Sequence, residues 1–228
     1  MFTAFQQALE LIFSGSETLT QIILVTLRMS VASSLISLAL GTVWGVFLAM
    51  ARFPGRNVLV VVNRTLMGLP PVVCGLICYL AFSGVGPLRH LHLLYTVEGM
   101  TIAQIILITP VVAGSIEAFA KGIVDPVVET ARGIGASRAR VLWLVISECR
   151  YQICATFLLA FGRAIAEVGA VSMVGGAIAF KTNVMTTAIM MYTNMGDFTI
   201  AIALGIILLG MFLILNVGMH FVSAKVTR

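Results

Sequence analysis

Arg163 and Glu167 are two charged residues in an otherwise uncharged part of the sequence. They stand in segment 151–180, which contains no other Asp, Glu, Lys or Arg. Four residues apart, they would share one face of a helix, where their side chains could meet. Two interpretations stay open. The pair is a structural ion pair that lets the helix pack, or Arg163 attracts a passing anion while Glu167 holds the arginine in place.

The segments around this pair are apolar enough to cross a membrane. The chain has 228 residues, of which 60% are hydrophobic and only 10% charged, and its mean hydropathy is +1.07. A membrane-spanning helix needs about 20 mainly apolar residues. Segment 151–180 and four uncharged stretches meet that need: 29–51, 65–88, 99–116 and 198–224. The sequence therefore predicts an all-α integral membrane protein with five transmembrane helices, and it excludes a soluble enzyme, a nucleic-acid-binding domain and a disordered regulator.

The basic residues predict the orientation of these spans. With the N-terminus outside and the C-terminus inside, only Arg89 and Lys181 fall outside. Nine basic residues then fall in the cytoplasm, as the positive-inside rule favours: Arg52, Arg56, Lys121, Arg132, Arg138, Arg140, Arg150, Lys225 and Arg228. We expect one membrane domain over residues 1–228, with a cytoplasmic loop at 120–147. Its spans are expected at about 18–51, 58–83, 98–119, 148–176 and 197–223.

Prolines and small residues interrupt these spans. Pro70 and Pro71 predict a bend in span 2, and Thr109-Pro110 predicts a second break in span 3, because proline removes a helical hydrogen bond. The freed carbonyls cannot face lipid, so the bends either line a solute path or are buried structural kinks. A stripe of small residues in span 1 is typical of a seam between helices, although it could also line a pore: Ser30, Ser33, Ser34, Ser37, Gly41 and Gly45.

The cytoplasmic segment is predicted to contain a short helix that docks on another protein. Asp125-Pro126 is typical of a helix start, and Gly133 and Gly135 are typical of a stop. Ser137 can then cap a second helix that continues into span 4. Helices this short are marginal in water, so the first one needs a docking surface. Its expected apolar face comprises Val127, Val128, Ala131 and Ile134.

The sequence ETARGIGASRARVLWLV, which begins at Glu129, resembles the EAA loop of ABC-importer permeases. In that family the loop forms a coupling helix that inserts into a cleft on the ATPase subunit. The positions that match are Glu129, Ala131, Gly135 and Ala136, with Ser137 and Arg138 continuing the pattern. Thr130 departs from the usual first alanine, and Ser147-Glu148 replaces the Leu-Pro that ends the loop in many members.

Two further segments, NRTLMGLPPVVCGLICYLAFSGVGPL and FGRAIAEVGAVSMVGG, resemble permeases for molybdate, sulfate and tungstate, and the chain is most similar to the tungstate permeases. The resemblance implies a permease subunit of an ATP-driven importer in the cytoplasmic (inner) membrane of a prokaryote. Its implied partners are a second copy, a pair of ABC ATPase subunits and an extracytoplasmic binding protein. Molybdate or sulfate permease remains the alternative, followed by a secondary anion carrier or channel.

Motifs for catalysis and cofactor binding are missing from the sequence. There is no G-x-x-x-x-G-K-[ST] phosphate-binding loop, so ATP and its magnesium ion are expected on a partner ATPase, and no catalytic residue is assigned. No metal-ligand pattern is present either. His90 and His92 fall in an external loop and His220 at the end of span 5, where solvated or interfacial side chains are expected. Pro70, Pro71, Arg163 and Glu167 are the candidates for a translocation path.

Overall fold

The computed structural model describes the backbone of residues 2–226 and, within that range, the side chains outside 2–4, 132, 138 and 219–226. All regular structure in the described residues is helical. The α-helices are α1 (Phe2–Phe13), α2 (Glu17–Met50), α3 (Arg56–Met67), α4 (Pro71–Phe82), α5 (Val97–Gly133), α6 (Arg138–Glu148), α7 (Arg150–Ala166), α8 (Gly169–Gly175), α9 (Met185–Asn194) and α10 (Phe198–Val226), with one 3-10 turn at Arg89–Leu91.

Three helices are long and apolar enough to cross a membrane without interruption, namely α2, α5 and α10. Two further helix pairs qualify only when their halves are taken together. The α3–α4 pair is bent by 97° and the α6–α7 pair by 62°. Counting each bent pair as one span gives the expected five.

Helices α2 and α5 lie side by side and run in the same direction. Gly41 and Gly45 permit this approach, because a Cβ atom added at either position would lie 2.6 Å from the nearest atom of α5. The small-residue stripe of span 1 therefore packs between helices, with all four of its serines buried. The pairs across the interface keep a nearly constant offset in sequence: Arg28 with Glu98, Ser33 with Gln104, and Arg52 with Asp125.

The continuity of α5 contradicts two expectations. The helix passes through Pro110 and Pro126 without ending, so neither the break at Thr109-Pro110 nor the helix start at Asp125-Pro126 is present. Pro126 frees the carbonyl of the residue four positions earlier, which is Gly122. Gly122 is exposed and has no side chain over it. Water can therefore bind this carbonyl, and the helix continues.

The bend at Pro70 is confirmed. Helix α3 ends at Met67, and Gly68 caps it. Pro70 has an extended backbone with ψ of 129°, and Pro71 is the first residue of α4. Proline suits that position because its missing N–H would have no helical partner there. Each half contains 12 residues, about 18 Å of helix, which is too short to cross the hydrocarbon core alone.

Candidate functional site

The residues of the EAA resemblance form a turn at the end of α5. After the helix ends at Gly133, Gly135 adopts a φ of +72°, a conformation that costs glycine little. The backbone N–H of Ala136 donates to the carbonyl of Ala131 over 2.9 Å. Ser137 caps α6 as expected, because its hydroxyl accepts a hydrogen bond from the Arg140 N–H at 3.4 Å. The turn is therefore a defined structure between two helices.

This turn presents one face to solvent. Glu129, Gly135 and Ser137 are exposed, whereas Ala131 is buried against the core. Ile134 was expected on the apolar face that docks on a partner, and it is 76% exposed, whereas Ala131 of the same expected face is buried within the chain. Ile134 follows the last helical residue, so the helical periodicity no longer governs its direction. Arg138 is the first residue of α6, and its side chain lies outside the described residues.

A groove of about 620 Å³ lies beside the turn, where the end of α2 approaches α5 and α6. Apolar side chains and one ion pair, between Arg52 and Asp125, line it. The full lining comprises Met50, Arg52, Val124, Asp125, Val128, Glu129, Ala136 and Val141. The exposed turn and the groove together form a surface of mixed apolar and charged character at one end of the molecule.

A second candidate region lies where two interrupted helices meet. A Cβ atom added at Gly169, the first residue of α8, would lie 2.9 Å from the side chain of Val72 and 3.4 Å from that of Pro71. One added at Gly75 would lie 2.8 Å from the Cα atom of Ala170. The start of α4 therefore packs directly on the start of α8. We name this contact region, residues 68–75 and 167–170, the break junction.

Glu167 stabilises the second of these interruptions. Helix α7 ends at Ala166, and Glu167 has an extended backbone with ψ of 131°. Its Oε1 atom accepts a hydrogen bond from the Ala170 N–H at 3.1 Å, which caps a free donor of α8. Its main-chain carbonyl accepts a hydrogen bond from the Thr186 hydroxyl at 2.8 Å. The carboxylate thus stabilises the nonhelical backbone between α7 and α8.

The structure does not form the expected pair between Arg163 and Glu167. Because α7 ends before Glu167, the two residues do not share a helical face. Among the described residues Arg163 makes no salt bridge, and its half-buried side chain keeps a buried Nε atom without a hydrogen-bond partner. Both interpretations required this pair, so the pairing is wrong, whereas the attraction of Arg163 for an anion stays a prediction. Arg163 stands in the last turn of α7, four residues before Glu167.

Gln104 is a buried residue near this region that the sequence analysis missed. It is fully buried on α5, where its Oε1 atom accepts a hydrogen bond from the Ser33 hydroxyl at 2.6 Å. Its Nε2 atom donates to the carbonyl of Ala164 at 2.8 Å, near the end of α7. One amide therefore joins three helices. The available signal was a single amide side chain in the uncharged stretch 99–116, but the sequence analysis counted only charged residues.

Glu117 is a second residue that the sequence analysis missed. Its side chain is only 4% exposed, and it forms salt bridges with Arg56 and Arg64 of α3. The sequence analysis gave it no role, although position 117 stands near the end of the span expected at 98–119. The available signal was its position directly after the uncharged stretch 99–116. If the helix of that stretch continues, Glu117 lies on it within the protein.

The arginine and the histidines of the loop between α4 and α5 are solvent-exposed. Arg89, His90 and His92 line a cavity of about 470 Å³, and all three side chains are exposed. The described part of the chain contains no cluster of three or more His, Cys, Asp or Glu residues that could hold a metal ion. The side chain of His220 lies outside that part.

Comparisons with known proteins extend this description. Residues 41–228 match the family of binding-protein-dependent transport system inner membrane components. The tungstate uptake system permease protein TupB of Peptoclostridium acidaminophilum is 35% identical over 205 residues, 90% of each chain. TupB of Campylobacter jejuni is 31% identical over 228 residues, which is 100% of this chain and 94% of its own.

A probable anion ABC transporter permease protein of Haloferax volcanii is 37% identical over 203 residues, 87% of this chain and 88% of its own. The family match covers most of the chain, including the exposed turn and the break junction. It agrees with the several apolar helices of a multi-pass membrane protein. The chain belongs to the family of binding-protein-dependent transport system inner membrane components.

Proposed function

We propose that this chain is the permease subunit of an ATP-driven importer for tungstate. The observation that carries the proposal is the exposed turn at residues 133–137, which ends a helix reaching from one end of the molecule to the other. The family membership and the tungstate permeases among the relatives support the substrate. Two copies of the chain would pair, with an ATPase dimer on the exposed turns and a binding protein on the opposite side.

The break junction is our candidate for the anion path within each copy. The first residues of a helix leave backbone N–H groups without helical partners, and such groups favour negative charge, as at the starts of α4 and α8. Arg163 adds one positive charge nearby, and the neighbouring Glu167 carboxylate is already engaged by the backbone. A path with one positive group suits an anion that must leave again, because a site that binds too strongly would not release its cargo.

The exposed turn is our candidate for the contact with the ATPase. The side chains of Glu129 and Ile134 and the hydroxyl of Ser137 face outward, and the turn is held at both ends by helices. An ATPase that binds this turn and changes conformation would move the end of α5. ATP and its magnesium ion would bind on the partner, and hydrolysis would occur there.

Reconstitution of the complete complex in liposomes tests the proposal. The permease, its ATPase and its binding protein are assembled with ATP inside the vesicles, and uptake of tungstate, molybdate and sulfate is measured separately. We expect ATP-dependent uptake with tungstate preferred at equal binding-protein saturation. A preference for molybdate or sulfate would contradict the proposal that tungstate is the substrate. Uptake without ATP, abolished by an ionophore, would instead indicate a secondary carrier.

A further inference from the structure

Glu117 is a buried carboxylate that joins α5 to α3. Its Oε1 atom lies 3.1 Å from the Nη2 atom of Arg56, and its Oε2 atom lies 3.6 Å from the Nη2 atom of Arg64. The side chain of Glu117 is 4% exposed and that of Arg56 is 19% exposed. Both oxygens of one carboxylate thus contact cations on the same neighbouring helix. We name Glu117, Arg56 and Arg64 the α3–α5 clamp.

Arg56 extends the clamp to α2. Its Nε atom donates to the carbonyl of Leu48 over 2.6 Å. Leu48 stands in the last turn of α2, where carbonyls have no partner within the helix. A single guanidinium group therefore ties the end of α2, the start of α3 and the middle of α5 together.

Two further contacts place α3 firmly on α5. The Asn63 amide donates to the carbonyl of Pro110 over 3.1 Å from a side chain that is only 5% exposed. Gly114 leaves room for Met67, because a Cβ atom added there would lie 2.3 Å from the Met67 sulfur. The contacts extend from the beginning of α3 to its last residue. A rigid movement of α5 would therefore carry α3 with it.

The two helices of the clamp lead to the two candidate sites. Helix α5 ends at the exposed turn, and α3 ends at the bend that precedes Pro71, within the break junction. We propose that Glu117 is a positioning residue that transmits movement of the exposed turn to the break junction. This inference rests on the proposed function, because it requires the turn to be moved by an ATPase.

A structural role alone accounts less well for these residues. A buried ion pair adds little net stability compared with apolar residues of the same volume, because both charges lose their hydration. Its distinguishing property is a fixed geometry between the elements that carry it. The exposed ion pair between Arg28 of α2 and Glu98 of α5 also joins α5 to a neighbouring helix, but its side chains are 71% and 64% exposed. Exposed pairs of this kind contribute little, so Glu98 supplies a matched control.

The test compares Glu117→Gln with Glu98→Gln in the complete complex in liposomes. Each variant is measured for anion uptake and for ATP hydrolysis, and the readout is the number of anions imported per ATP hydrolysed. We expect Glu117→Gln to lower that ratio by about tenfold, the size of effect seen for residues along a coupling network. Glu98→Gln should keep the wild-type ratio, and Glu117→Asp should restore part of it.

Three results would overturn the inference. One is a wild-type ratio in Glu117→Gln, and another is an equal loss in Glu98→Gln. The third is a proportional fall of uptake and hydrolysis, which indicates a structural role. If Glu117→Gln does not assemble, Arg64→Gln takes its place, because Arg64 is 64% exposed and its loss leaves the Arg56 contact intact. An unchanged ratio in Arg64→Gln would then reject the clamp. Absence of uptake in the wild type would instead reject the proposed function.

Discussion

The continuous helices α2 and α5 differ from the broken helices α3–α4 and α7–α8 in how their backbone polar groups are satisfied. Helices α2 and α5 contain 34 and 37 residues, and each continues without a break. The halves α3–α4 and α7–α8 stop within the molecule. At the α7–α8 break, the side chains of Gln104, Glu167 and Thr186 complete hydrogen bonds of the helix ends. Backbone polar groups must be satisfied inside a membrane, and only the broken helices leave helix ends there.

This difference separates two mechanical tasks. A long parallel pair joined by small residues cannot bend easily, so it can transfer a displacement from one end to the other. Short halves joined by a few nonhelical residues can rotate at their breaks, and their ends can contact a solute. The molecule therefore places its exposed turn on the first kind of element and its candidate anion path on the second.

The largest expected effect comes from separating α2 from α5. Gly45→Val would place a Cβ atom 2.6 Å from the carbonyl oxygen of Ala113 and 2.9 Å from the Cβ atom of Ile116. Because backbone atoms cannot move aside, we expect a loss of about 3 kcal/mol in stability. The melting temperature of the detergent-solubilised protein measures it. Gly205→Val is the control, since an added Cβ atom there meets nothing within 4 Å, and equal melting of the two variants would contradict the packing argument.

The next effect concerns the broken helices. Arg163→Met should lower uptake by about tenfold, equivalent to roughly 1.4 kcal/mol of lost anion attraction, while assembly with the ATPase persists. Arg163→Lys should retain much of the uptake because it keeps the charge.

Glu167 provides the contrast for this variant, because the two residues are not paired. Glu167→Gln keeps an oxygen that can accept the Ala170 N–H, so we expect little loss alone. Combined with Arg163→Met, it should not restore uptake. Restored uptake in the double variant, measured on matched amounts of complex, would show that the two charges compensate each other after all.

A smaller effect is expected at the exposed turn. Gly135 has a φ of +72° and nothing within 4 Å of its added Cβ atom, so a substitution there introduces backbone strain without a clash. A β-branched residue should cost about 1–2 kcal/mol in this conformation. Gly135→Val should therefore weaken ATPase binding in a pull-down assay. Gly135→Asn should bind more nearly as the wild type does, because asparagine tolerates the left-handed region.

The smallest effect is expected at the end of the long pair that lies opposite the exposed turn. Arg28 and Glu98 lie 3.8 Å apart, with side chains 71% and 64% exposed. Exposed ion pairs contribute between about 0 and 1 kcal/mol. Glu98→Gln should leave both melting and uptake close to wild type, especially in high salt. A loss as large as that in Gly45→Val would show that the ends of the pair, and not its glycines, hold α2 and α5 together.

Local chemistry made part of this architecture predictable. Pro70 and Pro71 remove adjacent donors, so the bend between α3 and α4 follows from the sequence. Ser137 was predictable as a cap for the same reason, since its side chain acts within three residues. The helix start predicted at Asp125-Pro126 was wrong. A helix can continue through a proline when the freed carbonyl finds another hydrogen-bond donor, and water can reach the carbonyl of the exposed Gly122.

Contacts distant in sequence were not predictable. No helix breaker precedes Glu167, and the end of α7 depends on Gln104 and Thr186 from other helices. The absence of an Arg163–Glu167 pair follows from that end. The burial of Glu117 likewise depends on salt bridges with arginines about 60 residues earlier. Local sequence patterns do not predict contacts between residues so far apart in the chain.

The buried serines of α2 have a consequence for synthesis of the protein. Ser33 finds its partner Gln104 only 71 residues later in the chain, and Ser30, Ser34 and Ser37 are buried in the same stripe. At about 5–20 residues per second, the ribosome needs on the order of 4–14 seconds to supply that length. During this interval the newly inserted helix presents this stripe of small polar residues uncovered along one side. A nascent chain that stalls before α5 emerges would keep this side uncovered, where membrane quality-control proteases can distinguish it from the finished protein.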